Sequence, residues 1–154
     1  MKILITGTPG TGKSVLAEKL SEKTGFDLVN EKDFALDSRT GKLKGKEVEI
    51  DVKEFQKKIN EFLKEKKDII IEGHVLCEMK IKVDLVFVIR TKRKILEKRL
   101  EKKGYKEVKI QDNIFCEETD YCKKKALKNY EKVIEIRNEK SLASALQKIM
   151  KKIK

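Results

Sequence analysis

Gly7-Thr-Pro-Gly-Thr-Gly-Lys-Ser14 is the stretch on which the reading of this chain turns. It fits G-x-x-x-x-G-K-[ST], the pattern of a phosphate-binding loop. Glycines at 7, 10 and 12 let the backbone turn with its N–H groups pointing inward. Lys13 can reach the outer phosphates, and the Ser14 hydroxyl can hold Mg2+. A helix starting near Lys13 adds the positive end of its dipole. The alternative is a chance match in a glycine-containing turn, and the flanks argue against it. Lys2-Ile-Leu-Ile-Thr6 reads as a short buried strand, and Val15 to Thr24 as a helix stopped by Gly25. Strand, glycine loop and helix, in that order, are the setting that a nucleoside triphosphate site requires.

Outward from the loop, strands and helices alternate. Phe26 to Asn30 predicts a second strand, and Glu31 to Leu36 a short helix. Asp37 to Glu47 is polar, with two glycines and three lysines, and reads as a mobile loop leading to an edge segment, Val48 to Ile50. Val52, Phe55, Ile59, Phe62 and Leu63 share one helical face, with Asp51 as the N-cap. Asp68 to Glu72 is a buried strand ending in a carboxylate, and Gly73 to Met79 a loop. Val83 to Arg90 is the most apolar strand. Thr91 is placed to cap a helix over Lys92 to Lys103, which Gly104 stops, and Tyr105 to Lys109 is a connector. One long helix is expected from Ile110 to near Lys132, then a strand at Val133 to Ile136 and a last helix capped by Ser141.

Such alternation means an α/β fold, a parallel sheet covered on both faces. The length of 154 residues suits a single domain that buries its own core. Ligands of such sheets bind at the carboxyl ends of the strands. That rule gathers Gly7 to Ser14, Asn30 to Asp33, Glu72 to His74 and Arg90 to Arg93, with Asn138 to Lys140 nearby.

The net charge of +12 favours anionic partners, whether nucleotide or RNA. Charged residues make up 42% of the chain with both signs interleaved, so much of the lysine excess reads as solvated helix face. The three cysteines have neither C-x-x-C spacing nor an even count, which reads as free thiols in a reducing cytoplasm. Met1 leads directly into a strand, so no signal peptide is expected. No apolar run approaches the ~20 residues of a membrane span.

Four residues at the strand ends have the chemistry of phosphoryl transfer. Glu72 is placed to hold Mg2+ through water or to orient an attacking water; the alternative is a solvated strand end. His74 is the single histidine and stands at the cleft, against the commoner structural role of a lone imidazole. Arg90 and Arg93 flank a strand end where a guanidinium can stabilise a transferring phosphoryl group; the alternative is a surface pair with Glu97 or Glu101. Lys102 to Lys106 forms a basic cluster where a lid would lie. Cys77, Cys116 and Cys122, with Phe55, Phe62 and Phe115, are assigned to packing.

Ile5-Thr-Gly-Thr-Pro-Gly-Thr-Gly-Lys13, Ile71-Glu-Gly-His74, Val88-Ile-Arg-Thr91, Arg99-Leu100 with Gly104-Tyr105, and Asp112-Asn-Ile114 with Cys116-Glu117 together resemble the adenylate kinase isoenzyme 6 family. These are small nuclear or archaeal proteins, also described as ribosome-assembly ATPases. The resemblance runs from residue 2 to about residue 140. It implies a P-loop nucleoside-monophosphate-kinase-like fold with a five-stranded parallel sheet. It implies a monophosphate-binding segment at about 30–53, matched here at Asn30 and Asp33, and a lid at about 102–112. It implies ATP contacts at Gly10, Gly12, Lys13, Ser14 and, through its backbone, Val15. A base-side lid contact falls on Lys103, where the family more often has Arg, and another ATP contact near Lys140. Glu72 stands where the family usually has Asp.

Two functions follow from that resemblance. One is a kinase that takes ATP and AMP, or another nucleoside monophosphate, to two diphosphates with Mg2+. The other is an ATPase-switched assembly factor gripping a small-subunit ribosomal protein and ribosomal RNA. A kinase of another small molecule is a third. The protein is expected to be monomeric and cytoplasmic, without membrane association.

Overall fold

The computed structural model describes residues 1–154. Its main sheet has five parallel strands: β1 (Lys2–Gly7), β2 (Asp27–Asn30), β5 (Ile69–Glu72), β6 (Leu85–Arg90) and β7 (Val133–Arg137). Their spatial order is β2-β5-β1-β6-β7, which puts β1 at the centre. The helices are α1 (Lys13–Thr24), α2 (Glu31–Asp37), α3 (Val52–Leu63), α4 (Arg93–Lys102), α5 (Glu107–Glu118), α6 (Tyr121–Asn129) and α7 (Leu142–Ile153). A single turn of 3-10 helix, Val75–Glu78, follows β5.

The core follows from the two-residue period of the strands. Ile3, Ile5, Ile70, Phe87 and Ile89 point to one face and pack on Leu16 and Leu20 of α1 and Leu146 and Ile149 of α7. Leu4, Ile69, Ile71, Val86 and Val88 point to the other and meet Phe55, Ile59 and Leu63 of α3 with Cys122 and Ala126 of α6. Both sheet faces are therefore dry, which is why β1, β5 and β6 read as near-continuous apolar runs. A third cluster, Leu96, Leu100, Ile110 and Ile114, joins α4 to α5 beside the phosphate loop. The caps at Asp51 and Ser141 form as predicted: their side chains accept from Glu54 N–H at 3.2 Å and Ser144 N–H at 3.1 Å.

Three segments differ from the sequence reading. The expected loop at 37–47 contains a strand, β3 (Gly41–Lys44), paired antiparallel with β4 (Glu47–Ile50). The hairpin turns at Gly45, whose φ of 63° suits glycine. The single long helix is two, α5 and α6, broken at Asp120, which takes a left-handed φ of 58°. That break lets α6 fold back under the sheet while α5 stays at the cleft rim. Thr91 does not cap α4; Lys92 holds the cap position. The Thr91 N–H instead donates to Glu117 Oε2 at 2.8 Å, and its hydroxyl to the Asn138 carbonyl at 3.2 Å.

Candidate active site

β1 delivers the chain into the phosphate loop, and α1 begins within it. Gly10 and Gly12 have φ of 93° and 89°, in the left-handed region. A Cβ at Gly10 would lie 2.9 Å from the Leu96 and Leu100 side chains; at Gly12 it would lie 2.4 Å from Asn138 Nδ2. Both glycines are thus required by conformation and by space. The loop is fixed from beneath. The Thr11 carbonyl accepts from Asn138 Nδ2 at 2.8 Å and Arg99 Nη1 at 3.3 Å, and the Thr8 hydroxyl donates to Glu117 Oε1 at 3.0 Å. The first N–H groups of α1 have no carbonyl one turn back, so the helix start and its dipole are available to an anion.

Parallel pairing sets Glu72 opposite Ile5, at the same height as the loop. There the Ser14 hydroxyl donates to Glu72 Oε2 at 3.2 Å, while Asn30 Nδ2 donates to Oε1. Asn30 also caps α2, accepting from Asp33 N–H at 3.2 Å. Lys13 is buried between Glu72 and Glu31. Burial lowers its pKa, the two carboxylates pull it back up, and Lys103 lowers it further. Ser14 and Glu72 offer one hydroxyl and one carboxylate oxygen side by side. That donor set fits Mg2+, which keeps most of its water and phosphate oxygens and uses few protein ligands.

His74 turns into the same space. Nearly half of its side chain reaches solvent, at 45% exposure, yet the surrounding walls and then Lys13 and Lys32 hold its pKa down at about 4. Lys13, Ser14, Glu72, His74 and Lys103 line one inner cavity of about 160 Å3 with Gly10 and Tyr105. The structure therefore brings together Gly10, Gly12, Lys13, Ser14, Glu72, His74 and Lys103. Val15 follows on the first turn of α1 with its side chain 47% exposed. Lys140 lies exposed two residues beyond Asn138, the residue that touches the loop.

Arg90 is placed otherwise. Its guanidinium is buried under α5 and α6, with Nε 3.2 Å from Glu117 Oε2, Nη2 2.5 Å from Asp120 Oδ1 and Nη1 3.9 Å from Glu135 Oε1. Nη2 also donates to the Glu117 carbonyl at 3.0 Å. The side chain follows the apolar end of β6 down to these acids instead of projecting into the cleft, and neither Glu97 nor Glu101 is its partner. Arg93 pairs on the surface with Glu118 at 3.2 Å.

Four residues in the site had no assigned role in the sequence reading. Glu31 is a buried carboxylate beside Lys13, and its pKa is raised to about 7, chiefly by burial. It reads in sequence as an acidic helix start. Asn138 and Arg99 brace the loop from positions more than 80 residues away. Glu117 links Thr8, Thr91 and Arg90. Asn138 is signalled in sequence only by its place after a strand end, and Arg99 and Glu117 only by the Arg99-Leu100 and Cys116-Glu117 motifs of the resemblance.

Beyond the inner cavity, a larger one of about 700 Å3 opens between the β3–β4 hairpin and the segment around Tyr105. Lys32, Lys46, Lys103, Lys106 and Lys109 line it with His74, and its one carboxylate, Glu47, is taken by Lys109. The charge lining the cavity is therefore predominantly positive, which favours anions.

Comparison with known proteins adds the following. Residues 3–120 match the family model described as AAA domain. A Pyrococcus furiosus protein named "Putative adenylate kinase" is 40% identical over 136 residues, covering 88% of this chain and 74% of that one. A Methanocaldococcus jannaschii protein of the same name is 34% identical over 134 residues, covering 79% and 70%. Among solved structures, a deoxyadenosine kinase from M. mycoides with dCMP and dCDP bound superposes with a TM-score of 0.64 at 17% identity, over 99% of this chain and 98% of that one. The Bacillus subtilis YorR protein in complex with phosphorylated GDP gives a TM-score of 0.71 at 14% identity, over 99% and 95%. At such identities the two structures show the shared fold, a P-loop kinase-like α/β sandwich.

Proposed function

Since this chain belongs to the AAA domain family and to the family of those archaeal relatives, we propose that it is a nucleoside monophosphate kinase converting ATP and AMP to two ADP. The observation that carries this reading is the five-lysine cavity, which shares Lys32, His74, Lys103 and Tyr105 with the inner cavity that Lys13 lines. A phosphorylated acceptor needs cations on its own side of the transfer, whereas a nucleoside hydroxyl needs none. Within this reading the 30–53 segment, including the hairpin, holds the acceptor, and the 102–112 segment closes over both nucleotides.

The chain's own groups divide the work. The loop N–H groups around Gly10, Gly12 and Val15 cradle the phosphates of ATP, and Lys13 follows the charge outward as it develops. Ser14 and Glu72 would hold Mg2+, which would neutralise phosphate charge. Glu72, fixed by Asn30, aligns that side of the transferring group. His74, neutral at pH 7, offers a ring N–H or lone pair instead of a charge. Lys103 supplies the cation that a family arginine would, as a compact point charge without a planar face for the base. Lys140 is assigned a further contact to ATP. Arg90 supports α5 and α6 and has no direct part. Resolving products with and without AMP tests the reading: AMP-dependent ADP formation supports it, and AMP-independent release of inorganic phosphate overturns it.

A second reading, the isoenzyme 6-type ATPase acting in small-subunit maturation, is favoured by one surface. Lys124, Lys125 and Lys128 of α6 line a shallow pocket with Tyr121, and Phe115 of α5 is 68% exposed rather than packed in the core. Basic groups interleaved with aromatic rings suit RNA. On this reading the partners are ribosomal RNA and a small-subunit ribosomal protein.

A further inference from the structure

We propose that Glu31 is a positioning residue of this cleft: its carboxylate holds the turn after β5 so that His74 faces the phosphate loop, an inference that rests on the kinase reading above. Glu31 follows Asn30 directly, so one strand end supplies two successive supports to its neighbour. Asn30 reaches Glu72, and Glu31 reaches the turn beyond it. Glu31 Oε1 accepts from Val75 N–H at 2.8 Å, and Oε2 lies 3.6 Å from His74 Nδ1. The peptide N–H that follows His74 is thereby tied to a carboxylate that also lies against the His74 ring.

The backbone is shaped to admit that carboxylate. A Cβ at Gly73 would lie 2.4 Å from Glu31 Cβ and 2.5 Å from its Cδ. No side chain fits between Glu72 and His74 while Glu31 keeps this path. Gly73 and Glu31 therefore act as a pair, the missing side chain of one making room for the stem of the other.

Its surroundings exclude an ordinary surface role. Glu31 is 2% exposed, and the charged groups facing it are Lys13 from the phosphate loop and Glu72 from β5, with His74 on the turn it holds. A buried carboxylate is costly unless its hydrogen bonds and charge partner are specific. An acid needed only to start α2 would sit as well in water, where the helix dipole already favours it. Glu31 lines the inner cavity beside His74, and the role proposed for it acts through His74.

His74 is the single histidine, so its carbon-bound imidazole protons give one NMR reporter that needs no turnover. Glu31→Ala should shift or broaden those signals and lower kcat about ten-fold or more, with KM for ATP within about two-fold. Glu31→Gln, whose amide oxygen still accepts from Val75, should keep the His74 signals and kcat near those of the parent. Should Glu31→Ala fail to fold, Glu31→Asp, one methylene short of Val75, carries the same test. Unmoved His74 signals in the folded Ala or Asp variant overturn the proposal, and so do moved signals with unchanged kcat. A parent protein without kinase turnover removes the kinase reading instead, and the NMR arm alone then decides the role of Glu31.

Discussion

Ser14 and Glu72, 58 residues apart in sequence, meet across the cleft with the Ser14 hydroxyl donating to Glu72 Oε2 at 3.2 Å. Parallel pairing of β1 with β5 brings them to one height, and Asn30 fixes the other carboxylate oxygen. Glu72→Gln keeps the shape and removes the charge. Turnover should fall about 100-fold while Kd for ATP changes by less than about three-fold, because the charge matters most as the phosphoryl group moves. Binding titration beside steady-state kinetics checks this. Equal loss in both would assign Glu72 to ground-state binding.

Lys13→Ala should nearly abolish turnover and leave the protein folded. The side chain is buried in the cleft, not in either apolar layer of the sheet, so its loss opens no hole in the hydrophobic core. Circular dichroism alongside a turnover assay tests both halves. A folded variant with parental turnover would remove the phosphate-loop account.

Stability should carry the mark of Glu31. Its pKa rises from 4.5 to about 7 on folding, so between these values the native state holds a proton that the unfolded state has lost. Stability contributed by this group is full below pH 4.5 and declines as pH rises toward 7. His74, lowered from 6.5 to about 4, works in the opposite direction, and comparison with a variant cancels it. The unfolding free energy of Glu31→Gln relative to the parent should therefore climb by about 3 kcal/mol between pH 4.5 and 7. Urea unfolding at several pH values measures the difference. A flat difference would mean that Glu31 titrates normally.

Arg90→Met should lower stability by about 3–5 kcal/mol, because it strands the buried Glu117 with Asp120 and Glu135 beside it. Turnover per folded molecule should stay within a few-fold of the parent. Unfolding curves and active-site-normalised kcat separate the effects. A large loss of kcat at unchanged stability would return Arg90 to the transferring phosphoryl group.

RNA binding, if α6 provides it, should depend on Lys124, Lys125 and Lys128 and not on Lys123, which pairs with Glu135 at 2.8 Å. Changing the first three to Glu should weaken RNA binding and lower the slope of log affinity against log salt by about three contacts. ATP binding should be spared. The same affinity and slope in the triple variant would remove α6 as an RNA face.

These expectations drew unequally on sequence. β1, β5 and β6 were legible because both sheet faces are dry, so period and apolar content agree. α3 and α7 were legible through the caps Asp51 and Ser141 and a single apolar face. The hairpin was not, because its residues are mostly wet: Leu43 is 66% exposed, and lysines occupy the alternate positions. The break at Asp120 carries no glycine or proline, so nothing local announces it. That Lys13, Ser14, Glu72 and His74 would share one cleft was legible from motif and strand end. Arg90 misled because a strand end fixes where a side chain starts, not which distant acids it reaches. Glu31 was missed for the related reason that its burial depends on Gly73, 42 residues further along.

The most direct measurement follows one phosphate. ATP labelled at the γ-position is mixed with unlabelled AMP, Mg2+ and the protein, and the products are separated as label first appears. The account predicts label in the β-phosphate of ADP formed from AMP, at a rate that rises with AMP and is lost in Lys13→Ala. Label appearing only as inorganic phosphate, at a rate indifferent to AMP, would contradict it.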